Sequence, residues 1–144
     1  MIMNDEAARH SIREIIEAFA MERHPTAGWF SPHYSDSEIW GRPKLSAIYY
    51  LIAGDEPMPL HKIDGIEIWH YYMGAPAEFV VTNRSRMNMT STLGRDFTLG
   101  QQPQLAVPAY LWKSCRSLGE WTLMGCTASP GFSPRTPLII DANS

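Results

Sequence analysis

The hydrophobic pattern of this chain changes period once, from helical spacing at the start to strand spacing for nearly all the rest. Ala8, Ile12, Ile15, Ile16 and Phe19 recur on one helical face. Asn4 offers an N-cap, and Asp5 and Glu6 suit the positive end of the helix dipole. Pro25 disfavours helix in the residue before it, so the spacing predicts one helix over about 4–22, ending near Met21 to Arg23. A helix with a single apolar stripe requires a sheet to cover it.

From Gly28 onward, short aromatic and β-branched runs alternate with Gly, Pro and Asp. Strands are predicted at Trp29–Tyr34, Leu45–Ala53, Ile66–Met73, Glu78–Asn83, Met87–Thr92, Gln104–Val107, Tyr110–Arg116 and Trp121–Thr127. Punctuation falls at Asp64-Gly65, Gly74-Ala75-Pro76, Gly94, Gly100, Pro108 and Gly119. Many short strands with frequent turns predict an all-β sandwich or barrel rather than alternating βαβ units. The expected layout is one domain over 1–144: the helix, a barrel over about 28–128, and an irregular, surface-running tail over 129–144. No internal repeat or low-complexity tract interrupts it.

Composition narrows the function classes. A formal charge of −3 gives no basic patch, so a nucleic-acid partner is not expected. No run of 18 apolar residues provides a membrane span, and the opening residues lack the features of a secretory leader, which predicts a cytoplasmic protein without a membrane partner. If the chain turns at Ser117–Glu120, Cys115 opposes Thr122 and Cys126 opposes Leu111, so the two cysteines are expected as separate reduced core thiols. Five Trp and six Tyr suit strands and pocket walls.

The segment Gly54–Gly74 carries the candidate chemistry. His61 enters a turn at Asp64-Gly65, Glu67 leaves it and Gly74 closes the following strand. If this is a hairpin, His61 and Glu67 sit opposite each other on adjacent strands and share a face. An imidazole and a carboxylate facing a barrel interior form either a metal half-site or an acid/base pair.

This spacing resembles the first motif of the cupin superfamily, and Gly100–Lys113 looks like the second. The match tightens within one branch, the family catalogued as domain of unknown function 985. Its phrases stand here as His24-Pro25, Gly28-Trp29-Phe30, Ala47-Ile48-Tyr49-Tyr50, Glu67-Ile68-Trp69-His70, Gly74-Ala75-Pro76 and Leu93-Gly94. Further along come Gln102-Pro103-Gln104, Val107-Pro108-Ala109, Leu111-Trp112, Gly125-Cys126-Thr127 and Pro130-Gly131-Phe132. The resemblance covers roughly residues 20–132. It implies an all-β cupin jelly-roll barrel (a double-stranded β-helix) with one N-terminal helix, a homodimer, and a small-molecule ligand in the barrel. It leaves the reaction unassigned.

Departures from the pattern shape the functional expectation. The cupin metal site uses three His and one Glu, but here Ile63 and Lys113 fall at two of the His positions, leaving His61 and Glu67. A charged lysine has no lone pair to give a metal, so no metal and no other cofactor is expected. Alternation places His70 on the face opposite Glu67. Where relatives carry Pro-Glu-Gly-Gly and Glu-Thr-Tyr, this chain reads Pro25-Thr26-Ala27-Gly28 and Pro32-His33-Tyr34. Loss of those carboxylates and gain of Lys113 predict a more positive pocket that favours an acidic or phenolate-like ligand. Lys113 either neutralises Glu67 in a vacated metal site or holds negative charge on a substrate.

His61 and Glu67 could likewise act as proton-transfer groups or simply bond each other or a ligand. Tyr49, Trp69, Tyr71 and Trp112 are the candidate ligand-binding walls, with core packing as the alternative for each. His10, His24 and His33 have no spacing relation that suggests a ligand set. Two functions remain open. One is a metal-independent enzyme of isomerase, epimerase, cyclase or lyase type, with His61, Glu67 and Lys113 as catalytic residues acting on a small oxygenated, anionic metabolite. The other is a non-catalytic small-ligand-binding cupin; a metal-dependent dioxygenase ranks below both. Convergence of the three side chains on one open cavity, free of mutual salt bridging, favours catalysis, whereas a closed ion pair favours binding or a relic site.

Overall fold

The computed structural model describes residues 10–36, 38–39, 41–133 and 136–141. Helix α1 (Ile12–Ala18) is capped by Ser11, whose hydroxyl accepts the Glu14 backbone N–H at 3.2 Å. The helix therefore ends earlier than its periodicity predicts. Ser11 supplies the cap within the described residues, while Asn4, Asp5, Glu6 and Ala8 lie outside them. Ala20, at a φ of 50°, carries the chain out of the helix.

Thirteen strands follow among the described residues: β1 (Glu22–Arg23), β2 (Trp29–Ser35), β3 (Glu38–Ile39), β4 (Arg42–Pro43), β5 (Ser46–Ala53), β6 (Met58–Ile63) and β7 (Ile66–Gly74). The remainder are β8 (Ala77–Thr82), β9 (Asn88–Leu93), β10 (Gln104–Val107), β11 (Trp112–Ser117), β12 (Trp121–Ser129) and β13 (Leu138–Ile140). They form a six-stranded sheet in the order β1-β2-β5-β12-β7-β10, a five-stranded sheet in the order β13-β6-β11-β8-β9, and the β3–β4 ribbon. Every strand pair is antiparallel. The result is an all-β jelly roll.

Period-two alternation decides what each strand contributes. On β5, Tyr50 and Ile52 enter the core between the sheets, while Tyr49 and Leu51 face outward toward α1. Trp69, Phe79, Leu105, Cys115, Met124 and Cys126 complete much of the inter-sheet core. On the outer face of the six-stranded sheet, Ile15 of α1 packs with Leu51, Trp121 and Leu123, and the Trp121 indole donates to the His10 carbonyl at 3.0 Å. The apolar stripe of the helix thus finds the sheet it requires.

The connections differ from the expected hairpins. β6 and β7 do not pair: β6 lies between β13 and β11, and β7 between β12 and β10. The Asp64-Gly65 turn carries the chain from one sheet to the other. The Ser117–Glu120 turn does the same, so Cys115 opposes Phe79 and Met58, and Cys126 opposes Ile48 and Trp69. Turn chemistry marks where a chain reverses but not which sheet receives it. Both cysteines are buried and free. The tail is not wholly irregular either, since β13 pairs with β6 along Leu138–Ile63, Ile139–Lys62 and Ile140–His61.

Candidate functional site

Four segments bring polar side chains to one chamber between the sheets. β6 contributes His61, β7 contributes Glu67 and Trp69, β5 contributes Ser46 and Tyr50, and the loop before β2 contributes His24. Ile48, Met58 and Ile63 form apolar walls, joined by Phe132 after β12 and Leu138 of β13. The chamber offers about 40 Å³ to the centres of water molecules. One water needs roughly 10–15 Å³ on that measure, so a few waters or a compact organic group fit.

Lys113 stands beside His61 in register on β11, with its side chain on the inner face and 1% exposed. It spans the interior to form a direct ion pair with Glu67 Oε1 on the opposite sheet. Glu67 Oε2 accepts from the Cys126 thiol at 3.5 Å. His61, Glu67 and Lys113 therefore converge, as expected, but across the barrel rather than across a hairpin. The ion pair is closed, and Lys113 is not itself a wall of the chamber. Burial first, and the neighbouring carboxylate second, push the Cys126 thiol well above its usual range.

The imidazoles have fixed tautomers. His61 Nδ1 lies 2.8 Å from the Pro59 carbonyl, an acceptor, so Nδ1 carries the proton and Nε2 presents a lone pair. Burial, followed by repulsion from Lys113, lowers the His61 pKa to about 3. His24 is the reverse case. The Thr26 backbone N–H donates to His24 Nδ1 at 3.2 Å, which leaves the neutral ring's proton on Nε2. Burial, then Lys113, lowers its pKa to about 4. His24 packs edge-on to Phe30 at 5.2 Å and against Tyr50 at 4.9 Å.

His24 is the site residue the sequence reading misses. No ligand spacing singles it out, because a loop rather than a strand register delivers it. The His24-Pro25-Thr26 turn, with a backbone donor two residues on, is the one local signal. Ser46 and Tyr50 are likewise absent from the expected set. Ser46 Oγ accepts the Phe132 N–H at 2.9 Å and so ties the segment after β12 to β5.

Of the four expected aromatic walls, Trp69 alone lines the chamber. It is 2% exposed, packs on Tyr50 and Phe79, and its indole N–H has no partner among the described residues. Tyr49 lies on the outer face against Phe19, with His33 and Tyr72 around it. Trp112 is the outward neighbour of inward Lys113, flanked by Lys62 at 4.8 Å and Arg84 at 4.9 Å. Adjacent residues on a strand cannot both face inward. Tyr71 packs against the core, and its hydroxyl donates to the Gly74 carbonyl at 2.7 Å, away from the chamber. His70 is on the outer face, stacked on Tyr72.

The donor set does not fit the metal that the superfamily pattern implies. Ile63 offers no donor, Lys113 occupies Glu67, and His61 Nε2 is left as a single ligand. Among the described residues no three His, Cys, Asp or Glu side chains converge to hold an ion.

A two-sheet jelly roll with a chamber built from inner-face residues defines a cupin barrel. Residues 13–137 match the family described as Cupin superfamily (DUF985), and the chain belongs to that family. Among solved structures, a Shewanella oneidensis protein superimposes with a TM-score of 0.85 at 23% identity, covering 92% of this chain and 85% of that one. A hypothetical protein from Leishmania major gives 0.81 at 21%, over 92% and 88%. Oxalate decarboxylase from Bacillus subtilis gives 0.64 at 13%, over 85% of this chain and 31% of that one. These identities establish a shared fold. No curated protein is significantly similar to the chain. Among the described residues no helix is long and apolar enough to cross a membrane.

Proposed function

We propose that this protein is a small-molecule-binding cupin whose site is the chamber between His24, His61 and Trp69. The observation that carries this reading is the chamber itself, about 40 Å³ of space between the sheets lined by His24, Ser46, His61 and Trp69 together with apolar walls.

The geometry favours binding over acid/base catalysis. Glu67 and Lys113 are engaged with each other, so neither is free to move a proton or hold developing charge. His61 lines the chamber and keeps a lone pair on Nε2, which is the one observation favouring an isomerase- or lyase-type enzyme. Yet a group with a pKa of about 3 accepts hydrogen bonds readily and abstracts protons poorly near neutrality. The fold shared with oxalate decarboxylase is compatible with either reading and carries no substrate across.

Screening small fragments against 15N-labelled protein tests the proposal, with the W69F variant identifying the Trp69 indole signal. Fragments of some class should shift that signal saturably. If a broad screen moves only signals of outer-face residues, the chamber is not a binding site.

A further inference from the structure

Building on that reading, we infer that the chamber takes an uncharged, apolar guest of about four heavy atoms, held by contact rather than by hydrogen bonds. The polar side chains of its wall already bond within the protein. Ser46 Oγ accepts the Phe132 N–H at 2.9 Å, and the Tyr50 hydroxyl donates to the Ala27 carbonyl and lies 3.1 Å from Thr26 Oγ1. His24 Nδ1 takes the Thr26 N–H at 3.2 Å, and His61 Nδ1 bonds the Pro59 carbonyl at 2.8 Å. Glu67 has one oxygen on Lys113 and the other on the Cys126 thiol. The Trp69 indole nitrogen is buried out of a guest's reach. A polar guest would give up its bonds to water and find these groups committed elsewhere.

Charge selects in the same direction. Glu67 is the acid in the wall, and its charge is matched by Lys113, which is not itself a wall. Both imidazoles stay neutral near pH 7, because burial followed by repulsion from Lys113 lowers His24 to about 4 and His61 to about 3. An ionic guest would therefore lose its hydration with no free counter-charge to replace it. The anionic ligand that the gain of Lys113 suggests is disfavoured for that reason. What the wall does offer is hydrocarbon from both sheets: Ile48 on β5, Met58 and Ile63 on β6, and Phe132 and Leu138 beside them. Such a surface holds a guest by burial of apolar area and by dispersion.

Isobutene, acetone and acetate share one planar, three-armed outline and differ in polarity and charge. The full-length protein is titrated with each at pH 7.5 while the methyl signals of Ile48, Met58, Ile63 and Leu138 are followed by 13C NMR. The exposed Ile66 and Ile139 serve as outer-surface controls. Isobutene, supplied as dissolved gas, should shift the chamber methyls saturably and leave the controls unmoved. It should bind tighter than acetone by roughly tenfold or more, and acetate should be weaker still. Ala128 is a wall residue, so A128L should fill the chamber and weaken isobutene by a similar factor. Acetone or acetate binding as tightly as isobutene, or controls that move in step with the chamber methyls, overturns the inference. So does unchanged isobutene affinity in folded A128L, or a chamber that screened fragments enter and isobutene does not. Each of these leaves the chamber open to other ligands. If neither isobutene nor any screened fragment moves a chamber signal, both readings fall. If A128L does not fold, the ranking and the location of the shifts in wild-type protein decide alone.

Discussion

His24 and His61 are held neutral by their surroundings, and that makes stability depend on pH in a defined sense. Both have folded pKa values, about 4 and about 3, below the 6.5 of an unperturbed histidine. Between those values and pH 6.5 the unfolded chain binds more protons than the folded one, so stability rises with pH across that window. The contribution is fully present above about pH 6.5. It drains on acidification at up to about 1.4 kcal/mol per pH unit for each histidine. The Glu56 carboxyl, lowered by its bond from the Gly28 N–H, adds a pH dependence of its own on the acid side, so the comparison must be differential. Urea unfolding of wild-type protein and of H24N and H61N, from pH 7.5 to 4.5, should give shallower acid losses in the variants. Parallel curves would mean that neither ring is held neutral in the barrel.

Elements, rather than residues, account for what sequence could and could not show. Alternation was sufficient to give inward Glu67 and Trp69 and outward His70, because each rests on one strand's own period. It also contradicts the pairing of Trp112 with Lys113 as chamber residues, since neighbours on a strand diverge. Strand β6 is hard to read because Pro57 and Pro59 bracket its start, and Pro demotes a strand. β13 shows only as the apolar triplet Leu138–Ile140 within a tail rich in proline, and its partner β6 is far away in sequence. Glycine punctuation was more legible. Gly74 ends β7 at a φ of +90°, and a Cβ there would lie 2.5 Å from the Trp121 ring and 2.6 Å from the Trp121 carbonyl oxygen. Gly100 has a similar φ of +80° with open space around it. Both alanine variants incur about 1–2 kcal/mol of left-handed backbone cost. G74A adds a clash with a backbone oxygen that cannot swing away. It should therefore be less stable than G100A by about 1 kcal/mol or more in denaturant unfolding. Equal losses would show that the β7–β8 turn yields freely.

At the scale of the whole molecule, the Lys113–Glu67 ion pair is a buried polar link between the two sheets, as is the 2.8 Å hydrogen bond from Thr122 to Ser117. Lys113 stands on β11 and Glu67 on β7, so the lysine meets the buried carboxylate from the opposite sheet. Desolvation makes such a pair a poor source of net stability, whereas breaking it strands a buried charge at a cost of about 3–5 kcal/mol. These two facts predict strong non-additivity. K113M and E67L should each destabilise the protein by several kcal/mol in urea unfolding. The double variant K113M/E67L should recover most of that loss, because two apolar chains of similar volume replace two charges. Coupling of at least about 2 kcal/mol is expected from the cycle. Additive losses would mean that the charges are separately hydrated, and the closed pair that argues against catalysis would then be absent in solution.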